Sequence, residues 1–180
     1  MEINYSNLYL AKPSMDYMKS YIVGIKEYAE KNVADFTYPK VRTKRQQLAH
    51  IRHLDEYGRG IGLPMGYVPC STFWLVDGFN YLGTGSIRHY LTDKLQNFGG
   101  NVGYSIRPAA WARGLGTVQL KLLLEECRLL GINQPLITCF EKNIASIRII
   151  EKNGGHLIKK VNNKFNGEEK LTRIYNINLL

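Results

Sequence analysis

A glycine-rich turn near the middle of the chain has the residue types of an anion-binding site. The turn, Arg113-Gly114-Leu115-Gly116, follows a strand-like segment that ends at Pro108 and leads into a leucine-rich helical pattern that reaches Leu130. Glycine lets a backbone approach an anion closely, and the first N–H groups of a helix have no partner inside the helix. Arg113 adds a positive charge. The pattern suits a pyrophosphate, although glycine also occurs in strand-to-helix turns for steric reasons alone.

Several other chemistries are excluded by spacing. The turn is not a Walker loop, because no Gly-Lys-Ser/Thr follows it, and it is not the dinucleotide motif GxGxxG. The three cysteines, Cys70, Cys127 and Cys139, form no CxxC pair and are interpreted as reduced thiols. His50 and His53 lie three residues apart on a predicted helix without a neighbouring ligand motif, so no metal site is expected.

The size and charge of the chain limit the classes of protein to consider. A chain of 180 residues is close to one domain. With 24 Lys and Arg and 15 Asp and Glu, the net charge is 24 − 15 = +9, which favours anionic partners. A basic nucleic-acid-binding module is therefore one hypothesis, but the basic residues are dispersed and no reading-helix pattern is present. No long apolar run and no signal-peptide pattern occur, so a cytoplasmic protein is expected.

Hydrophobic periodicity predicts one domain that mixes helices and strands. A short first strand, NLYLAKP, precedes a helix that Pro13 and Ser14 open, and a second helix covers Lys44 to Tyr57 with Leu48, Ile51 and Leu54 inward. From Ser71 onward strands dominate, interrupted by a helix after the glycine turn and another after Asn143. The order predicts one mostly antiparallel sheet with at least one strand-helix-strand crossover. The predicted strands of this second part are STFWLVD, YLGTGSIRHYL, NVGYSIRP, PLITCF, HLIKKVNNKF and KLTRIYNINLL.

Two consecutive motifs carry a family resemblance. The run GYSIRPAAWARGLGTVQLKLLLEEC, followed by LITCFEKNIASIRIIEKNGG, resembles the GNAT superfamily of acetyl-coenzyme-A-dependent N-acetyltransferases. The stretches VPCSTFWLVD, SIRHYL, GGNVGYSIRP and ITCFEKNIAS also resemble a group of uncharacterised bacterial acetyltransferases within it. The resemblance covers residues 71–180. It implies that these residues form the core of the domain and contain the cofactor site. Residues 1–70 fit the family's variable N-terminal strand and helices, which shape the acceptor site.

The resemblance implies a fold and a cofactor. The fold is α/β, a single domain over residues 1–180 with a mostly antiparallel sheet of about seven strands and about four helices. The strands NVGYSIRP and PLITCF would splay apart, and coenzyme A would lie in that gap, with no metal involved. Its pantetheine arm would pair with the backbone of Tyr104, Ser105 and Ile106, and Asn143 and Ser146 would flank this arm. A backbone N–H near Ile106 would donate a hydrogen bond to the oxyanion that forms during the reaction. Its pyrophosphate would meet the turn formed by Trp111, Ala112, Arg113, Gly114, Leu115, Gly116 and Thr117.

Three positions depart from the family pattern. Trp111 stands where the family usually has Gln or Arg, and the strand NVGYSI lacks the Glu often found before the turn. Ile150 stands where the family often has a Tyr that protonates the departing thiolate. The general base and the general acid are therefore open questions.

Three side chains are candidates for the proton transfers. His89 and Glu141, on predicted strands beside the gap, are the candidate bases, and an unperturbed His titrates near 6.5. Each has a structural interpretation as well: His89 as a strand-surface or core histidine, and Glu141 as a solvated residue at a strand end. Tyr104 is a candidate phenol acid, a wall of the substrate site or a core aromatic. Ordered water could also take the proton of the amine.

The resemblance predicts an acyltransferase that moves an acetyl group from acetyl-CoA to a primary amine by direct attack on the thioester. The acceptor is a small-molecule or peptide amine, and no nucleic acid and no membrane are expected as partners. A homodimer stays open, as does a coenzyme-A-binding domain with impaired catalysis.

Overall fold

The computed structural model describes residues 1–31, 33 and 39–180. Two short 3-10 turns, Tyr5–Asn7 and Pro108–Ala110, precede β1 and α4. In chain order the strands and α-helices of these residues are β1 (Tyr9–Ala11), α1 (Met18–Glu30), α2 (Lys44–Gly58), β2 (Cys70–Val76), β3 (Tyr81–Arg88), α3 (Asp93–Asn97), β4 (Val102–Ile106), α4 (Leu115–Leu129), β5 (Leu136–Phe140), α5 (Ile144–Lys152), β6 (His156–Phe165) and β7 (Glu168–Asn176).

The strands form two antiparallel sheets that meet at β4 and β5. The first sheet has the order β1-β2-β3-β4 and the second has the order β5-β7-β6. Between the sheets there is an isolated bridge, which joins Gly100 to Ile137. The predicted α/β fold with seven mostly antiparallel strands is confirmed. The single sheet expected from the sequence is instead divided, because β4 and β5 touch only near the first residues of each strand.

The helices differ from the sequence prediction in detail. Five α-helices are present among the described residues, since the five-residue α3 is too short to show a helical period. The second predicted helix is confirmed as α2, which begins with a capping box between Thr43 and Gln46. Its Leu48, expected to face inward, is 45% exposed. The start of α1 was predicted wrongly: the helix begins at Met18, while the Ser14 hydroxyl accepts the Asp16 N–H in a local turn.

The two faces of the first sheet are covered by different helices. Trp74, Val76 and Tyr81 are completely buried and pack with Met18 and Tyr21 of α1. The other face carries a second apolar cluster in which strand residues pack against α4 and α5, among them Phe73, Ile87, Val102, Leu120, Leu123, Ile147 and Ile150. Strand residues alternate between faces, so β2 and β3 each contribute to both clusters.

Asn101, the residue before β4, joins the two sheets. Its backbone N–H donates to the Leu136 carbonyl at 2.6 Å, and its side-chain oxygen accepts the Leu136 N–H at 2.9 Å. Toward the first sheet, its side-chain nitrogen donates to the Arg88 carbonyl at 3.1 Å, and its carbonyl accepts the Arg88 N–H at 2.7 Å. The residue is 5% exposed. One buried side chain therefore closes the junction between β4 and β5.

An ion pair fixes the other end of β4 to α1. Arg107 is 4% exposed and binds Glu27 through both Nε and Nη2, while its Nη1 donates to the Tyr81 carbonyl at 3.1 Å. Glu27 also accepts the Ala109 N–H at 3.0 Å. Burial alone would raise the pKa of Glu27, but the hydrogen bonds from Arg107 and Ala109 outweigh it and lower that pKa.

Replacing Asn101 tests the junction. We expect Asn101→Ala to lower the free energy of unfolding by about 2–4 kcal/mol, because the Leu136 N–H and the Arg88 carbonyl both lose a buried partner. Denaturant unfolding followed by circular dichroism measures the change. Asn178→Ala is the matched control, since Asn178 is exposed and its side chain accepts the Leu180 N–H, a local contact two residues away. Equal stabilities of the two variants would contradict the role assigned to Asn101.

The Glu27 carboxylate makes stability depend on pH. Because its pKa is lower in the folded chain than its ordinary value of 4.5, its contribution is complete above 4.5 and is lost as the pH falls through the folded pKa. We therefore expect the free energy of unfolding to fall below pH 4.5, and to fall less steeply in Glu27→Gln. Unfolding curves between pH 2.5 and pH 6, fitted in steps of about half a unit, measure both slopes. Identical slopes would show that Glu27 has no part in the acid sensitivity.

Candidate functional site

The gap between β4 and β5 is lined by backbone groups of both strands. Arg88 N–H bonds the Asn101 carbonyl and Arg107 N–H bonds the Leu82 carbonyl, so odd-numbered residues of β4 pair with β3. Since the backbone groups of an antiparallel strand alternate in direction, those of Tyr104 and Ile106 point into the gap. Ser105, expected at the cofactor, directs its backbone groups toward β3 instead.

The facing edge belongs to β5 and follows the same rule. Glu141 N–H bonds the Leu171 carbonyl and Ile177 N–H bonds the Pro135 carbonyl, so odd-numbered residues of β5 pair with β7. The backbone groups of Thr138 and Phe140 therefore point toward β4. Two strand edges face each other across the gap without forming a continuous ladder.

A cavity of about 450 Å³ occupies this gap and reaches both faces of the sheet. Register separates its lining into two sets, because directly paired residues share a face. On the face covered by α4 and α5 lie Val102, Tyr104, Cys139, Asn143 and Ser146. On the opposite face lie Arg88, Phe98, Thr138, Phe140, Phe165 and Thr172.

Tyr104, Asn143 and Ser146, named from the sequence, come together in this cavity. Asn143 caps α5, and its side-chain oxygen accepts the Ser146 N–H at 3.0 Å. The Tyr104 hydroxyl donates to the Ser146 carbonyl at 3.4 Å. Burial raises the pKa of Tyr104 above its ordinary value of 10.0 and outweighs the hydrogen bond to Ser146, which lowers it.

The glycine turn forms a backbone concavity at the start of α4. Ala112 and Gly114 both have positive φ angles, 58° and 77°, and Gly114 is the N-cap residue of the helix. Left-handed residues alternating with ordinary ones turn successive N–H groups toward one point, which is an anion-binding geometry. The Thr117 N–H already donates to the Gly114 carbonyl at 3.1 Å. The backbone N–H groups of the turn residues before Thr117 are therefore the candidates for binding an anion.

Gly116 has a packing role that the sequence did not show. A Cβ atom on Gly116 would lie 2.6 Å from Cδ1 of Ile149, so the absence of a side chain lets α4 and α5 approach. Leu115 is buried beside it. A Cβ atom on Gly114 would meet no atom within 4 Å, so at Gly114 the requirement is the left-handed backbone.

The two large side chains of the turn lie against their neighbours. The Trp111 indole N–H donates to the Ile106 carbonyl at 2.6 Å, so this ring packs back on the end of β4. The Arg113 guanidinium donates to the Met1 carbonyl at 3.0 Å, and the Arg113 carbonyl accepts the Tyr5 hydroxyl at 3.4 Å. The turn is thus supported by the N-terminal segment.

His89 does not line the gap. It is the first residue after β3, and its Nε2 shares a hydrogen bond of 2.8 Å with the Ser71 hydroxyl. Burial, and then the charge of Lys12, lower the pKa of its imidazole. Ser71 and Lys12 line a second cavity of about 330 Å³ between β1, β2 and α2, so His89 lies beside that cavity.

Glu141 is held in an ion-pair network. It is the first residue after β5, and Arg173 binds both of its oxygens at 2.7 Å while Lys160 binds one at 3.1 Å. These hydrogen bonds, that of Arg173 first, lower the pKa of Glu141 to about 2. A carboxylate with so low a pKa is a weak base at neutral pH.

Several residues of the cavity were not found from the sequence. Arg88, Thr172 and the three phenylalanines come from separate elements, and no local spacing connects them. Ile150 is completely buried in the apolar cluster beside α4, so this position cannot offer a polar group to the gap.

No cluster of three or more metal-ligating side chains occurs in residues 1–31, 33 and 39–180. Within the same ranges, no helix has the length and apolar character needed to cross a membrane.

The comparison with sequence families identifies the class of protein. A family model described as the acetyltransferase (GNAT) domain matches residues 10–156. The chain belongs to the GNAT acetyltransferase family and is an acyltransferase by fold and sequence. No curated protein matches the chain.

Solved structures with similar folds include three acetyltransferases. The ribosomal L7/L12 alpha-N-protein acetyltransferase RimL, in complex with coenzyme A, is 15% identical with a TM-score of 0.71, covering 98% of this chain and 96% of that one. The microcin C7 self-immunity acetyltransferase MccE, in complex with acetyl-CoA and AMP, is 15% identical with a TM-score of 0.69, covering 96% and 92%. A GNAT acetyltransferase from Bacillus anthracis is 15% identical with a TM-score of 0.64, covering 99% of both chains. At these identities the likeness concerns the fold.

The left-handed residues of the turn give a testable contrast. We expect Gly114→Ala to lower the free energy of unfolding by about 1–2 kcal/mol, because a Cβ disfavours the left-handed conformation while the surrounding space is open. Ala112→Gly should leave stability unchanged or raise it, since the native φ is already positive there. Denaturant unfolding of both variants measures the contrast. Wild-type stability of Gly114→Ala would mean that the turn does not require this backbone conformation.

Proposed function

We propose that the protein transfers an acetyl group from acetyl-CoA to a primary amine by direct attack of the amine on the thioester. The observation that carries this proposal is the gap itself, in which the backbone groups of Tyr104 and the N–H of Ile106 face an extended ligand a few residues before a glycine turn, while the Ile106 carbonyl is bound by the Trp111 indole. An extended chain can add to such a strand edge through main-chain hydrogen bonds. Family membership supports acetyl-CoA as the ligand.

The residues of the gap fit the parts of this cofactor. The pantetheine arm has amide groups that can pair with the Tyr104 backbone, and Asn143 and Ser146 border the same cavity. The pyrophosphate suits the concavity formed by residues 111–116 at the positive end of α4. When bound, the cofactor supplies an activated acetyl thioester.

The chain then supplies position and polar support for the reaction. The nitrogen lone pair of the amine forms the new C–N bond while the C–S bond breaks, and negative charge develops on the carbonyl oxygen. The Ile106 N–H points into the gap and is our candidate donor to that oxygen. The Tyr104 phenol lines the same cavity and is our candidate hydrogen-bond donor to the departing thiolate.

No carboxylate lines the gap cavity among the described residues, so the amine's proton has no obvious acceptor in a side chain there. Glu141 is neutralised by Arg173 and Lys160, and His89 lies beside the second cavity. We therefore propose that water takes the proton of the amine. Holding the two reactants in contact supplies much of the acceleration in such a reaction.

The acceptor is proposed at the level of a primary amine. RimL is named for alpha-N acetylation of a ribosomal protein, and MccE is an acetyltransferase for self-immunity to microcin C7. Both small-molecule and peptide amines are therefore compatible with this fold. A nucleic-acid-binding module is disfavoured, because the family match and the cavity account for the chain without it.

A melting experiment with cofactor tests the proposal. Acetyl-CoA at about 100 times its Kd should add about 2.7 kcal/mol to the stability of the folded chain. For a domain of this size that is roughly 5–11 °C in melting temperature. Release of coenzyme A in the presence of amines, measured with a thiol reagent, then separates an active enzyme from a domain that only binds. Absence of a shift at millimolar acetyl-CoA would refute the proposal.

The Tyr104 role has its own readout in the same experiment. Tyr104→Phe should keep the melting shift, because the ring and its packing remain, and should slow the release of coenzyme A by about 10²-fold or more. The loss should shrink at high pH, where a thiolate leaves with less help. A variant with unchanged turnover at every pH would assign the proton donation to water.

A further inference from the structure

The cavity face opposite α4 and α5 has one charged side chain, Arg88, and it has no acidic partner among the described residues. Its Nη1 donates to the carbonyls of Gly99 and Gly100 at 3.3 and 3.0 Å. These two bonds hold the guanidinium plane at the cavity wall. Its Nε and Nη2 atoms form the other edge, which is the edge that binds a carboxylate or phosphate with two parallel hydrogen bonds.

A second polar group of the same face also lacks a partner. Thr172 is 1% exposed and lines the cavity, and its hydroxyl has no hydrogen-bond partner among the described residues. A buried hydroxyl without a partner costs free energy, so natural structures provide one from the protein, from water or from a ligand. Thr172 pairs with Phe140 in the sheet, which places its side chain on the Arg88 side of the gap.

Three aromatic rings complete this face. The rings of Phe98, Phe140 and Phe165 have centroids 5.4–6.2 Å apart; Phe98 follows α3, while the other two lie on β5 and β6. Lys170 lies 5.0 Å above the Phe165 ring and is paired with Glu168 at 3.8 Å. The result is an apolar wall with a cationic surrounding, in a cavity whose size is typical of small-molecule sites.

We propose that the acceptor of the acetyl group is a small amine that also carries an anionic group and an apolar or aromatic group, as an aromatic amino acid does. This inference rests on the proposed function. Arg88 binds the anionic group through its Nε and Nη2 edge, the phenylalanine rings cover the apolar group, and Thr172 bonds a remaining polar atom. Among the described residues the cavity lining contains the cation of Arg88 and no carboxylate, which disfavours the ammonium form of the acceptor and so promotes the neutral amine that attacks.

Matched acceptors test the anionic requirement directly. L-phenylalanine, 2-phenylethylamine and 1-amino-2-phenylethylphosphonate share the amine and the ring, and they differ in carrying a carboxylate, no anion or a phosphonate. With wild-type protein and acetyl-CoA, we expect kcat/KM for an anionic member to exceed that for 2-phenylethylamine by about tenfold to a hundredfold, the range of a charge-assisted hydrogen bond. The two anionic probes distinguish a carboxylate from a phosphate-like group.

Variants assign the preference to the named residues. Arg88→Gln should abolish the preference for anionic acceptors, mainly by raising their KM. Arg88→Lys should retain part of this preference, because lysine keeps the charge but lacks the two parallel donors of arginine. Thr172→Val should keep the stability of the protein and raise KM for the anionic acceptor. Arg52→Gln removes the same charge from an exposed site on α2 and should leave kcat/KM unchanged for both the anionic and the uncharged acceptors.

The outcomes separate this inference from the proposed function. If acetyl-CoA raises the melting temperature but all three amines react equally, or if Arg88→Gln lowers kcat/KM equally for all three, the acceptor inference is wrong and the enzyme remains. If acetyl-CoA gives no shift, the proposed function fails. Calorimetric titration of the same amines into protein saturated with coenzyme A covers the case of slow turnover: failure of the anionic amines to bind at millimolar concentration would overturn the inference.

Discussion

The buried side chain of Asn101 is the constraint on which the rest of the structure depends. It hydrogen-bonds the backbone of Leu136 on one side and that of Arg88 on the other, so it closes two sheets onto each other at one point. Beyond that point β4 and β5 continue in separate sheets. A closed junction at one end and separate pairing at the other create a gap, along which the backbone groups of Tyr104 and of Thr138 are left without a partner strand.

Unpaired strand edges are normally avoided, because buried N–H and C=O groups need partners. Here they are kept open by anchoring β4 at both of its ends. Asn101 holds the first end, and Arg107, bound by Glu27 of α1, holds the second. The backbone of Tyr104 and Ile106 is therefore presented by a strand that cannot shift to close the gap. A binding site on a rigid element of this kind is already organised before its ligand arrives.

The gap has the same positive sign as the chain as a whole. The chain carries a net charge of +9, and its acidic residues near the gap are engaged in ion pairs, as Glu141 is with Arg173 and Lys160. The cavity itself contains the cation of Arg88 and no carboxylate among the described residues. Such surroundings favour an anionic group and disfavour an additional positive charge, which is the charge balance that the proposed attack by a neutral amine requires.

The sequence by itself determined the class of fold, the glycine turn and the order of the elements, because periodicity, capping residues and turn chemistry are local properties of the chain. It also indicated Tyr104 on β4 and Asn143 and Ser146 at the start of α5, which the structure brings to one cavity. Only the tertiary structure decided that the sheet divides at Asn101 and that Gly116 serves the packing of Ile149. It also placed His89 and Glu141 outside the gap, each with a hydrogen-bonding partner distant in sequence. Arg88 and Thr172 line the same cavity although they are far apart in the chain, and the pairing of strands that brings them there is a long-range property that no local pattern carries.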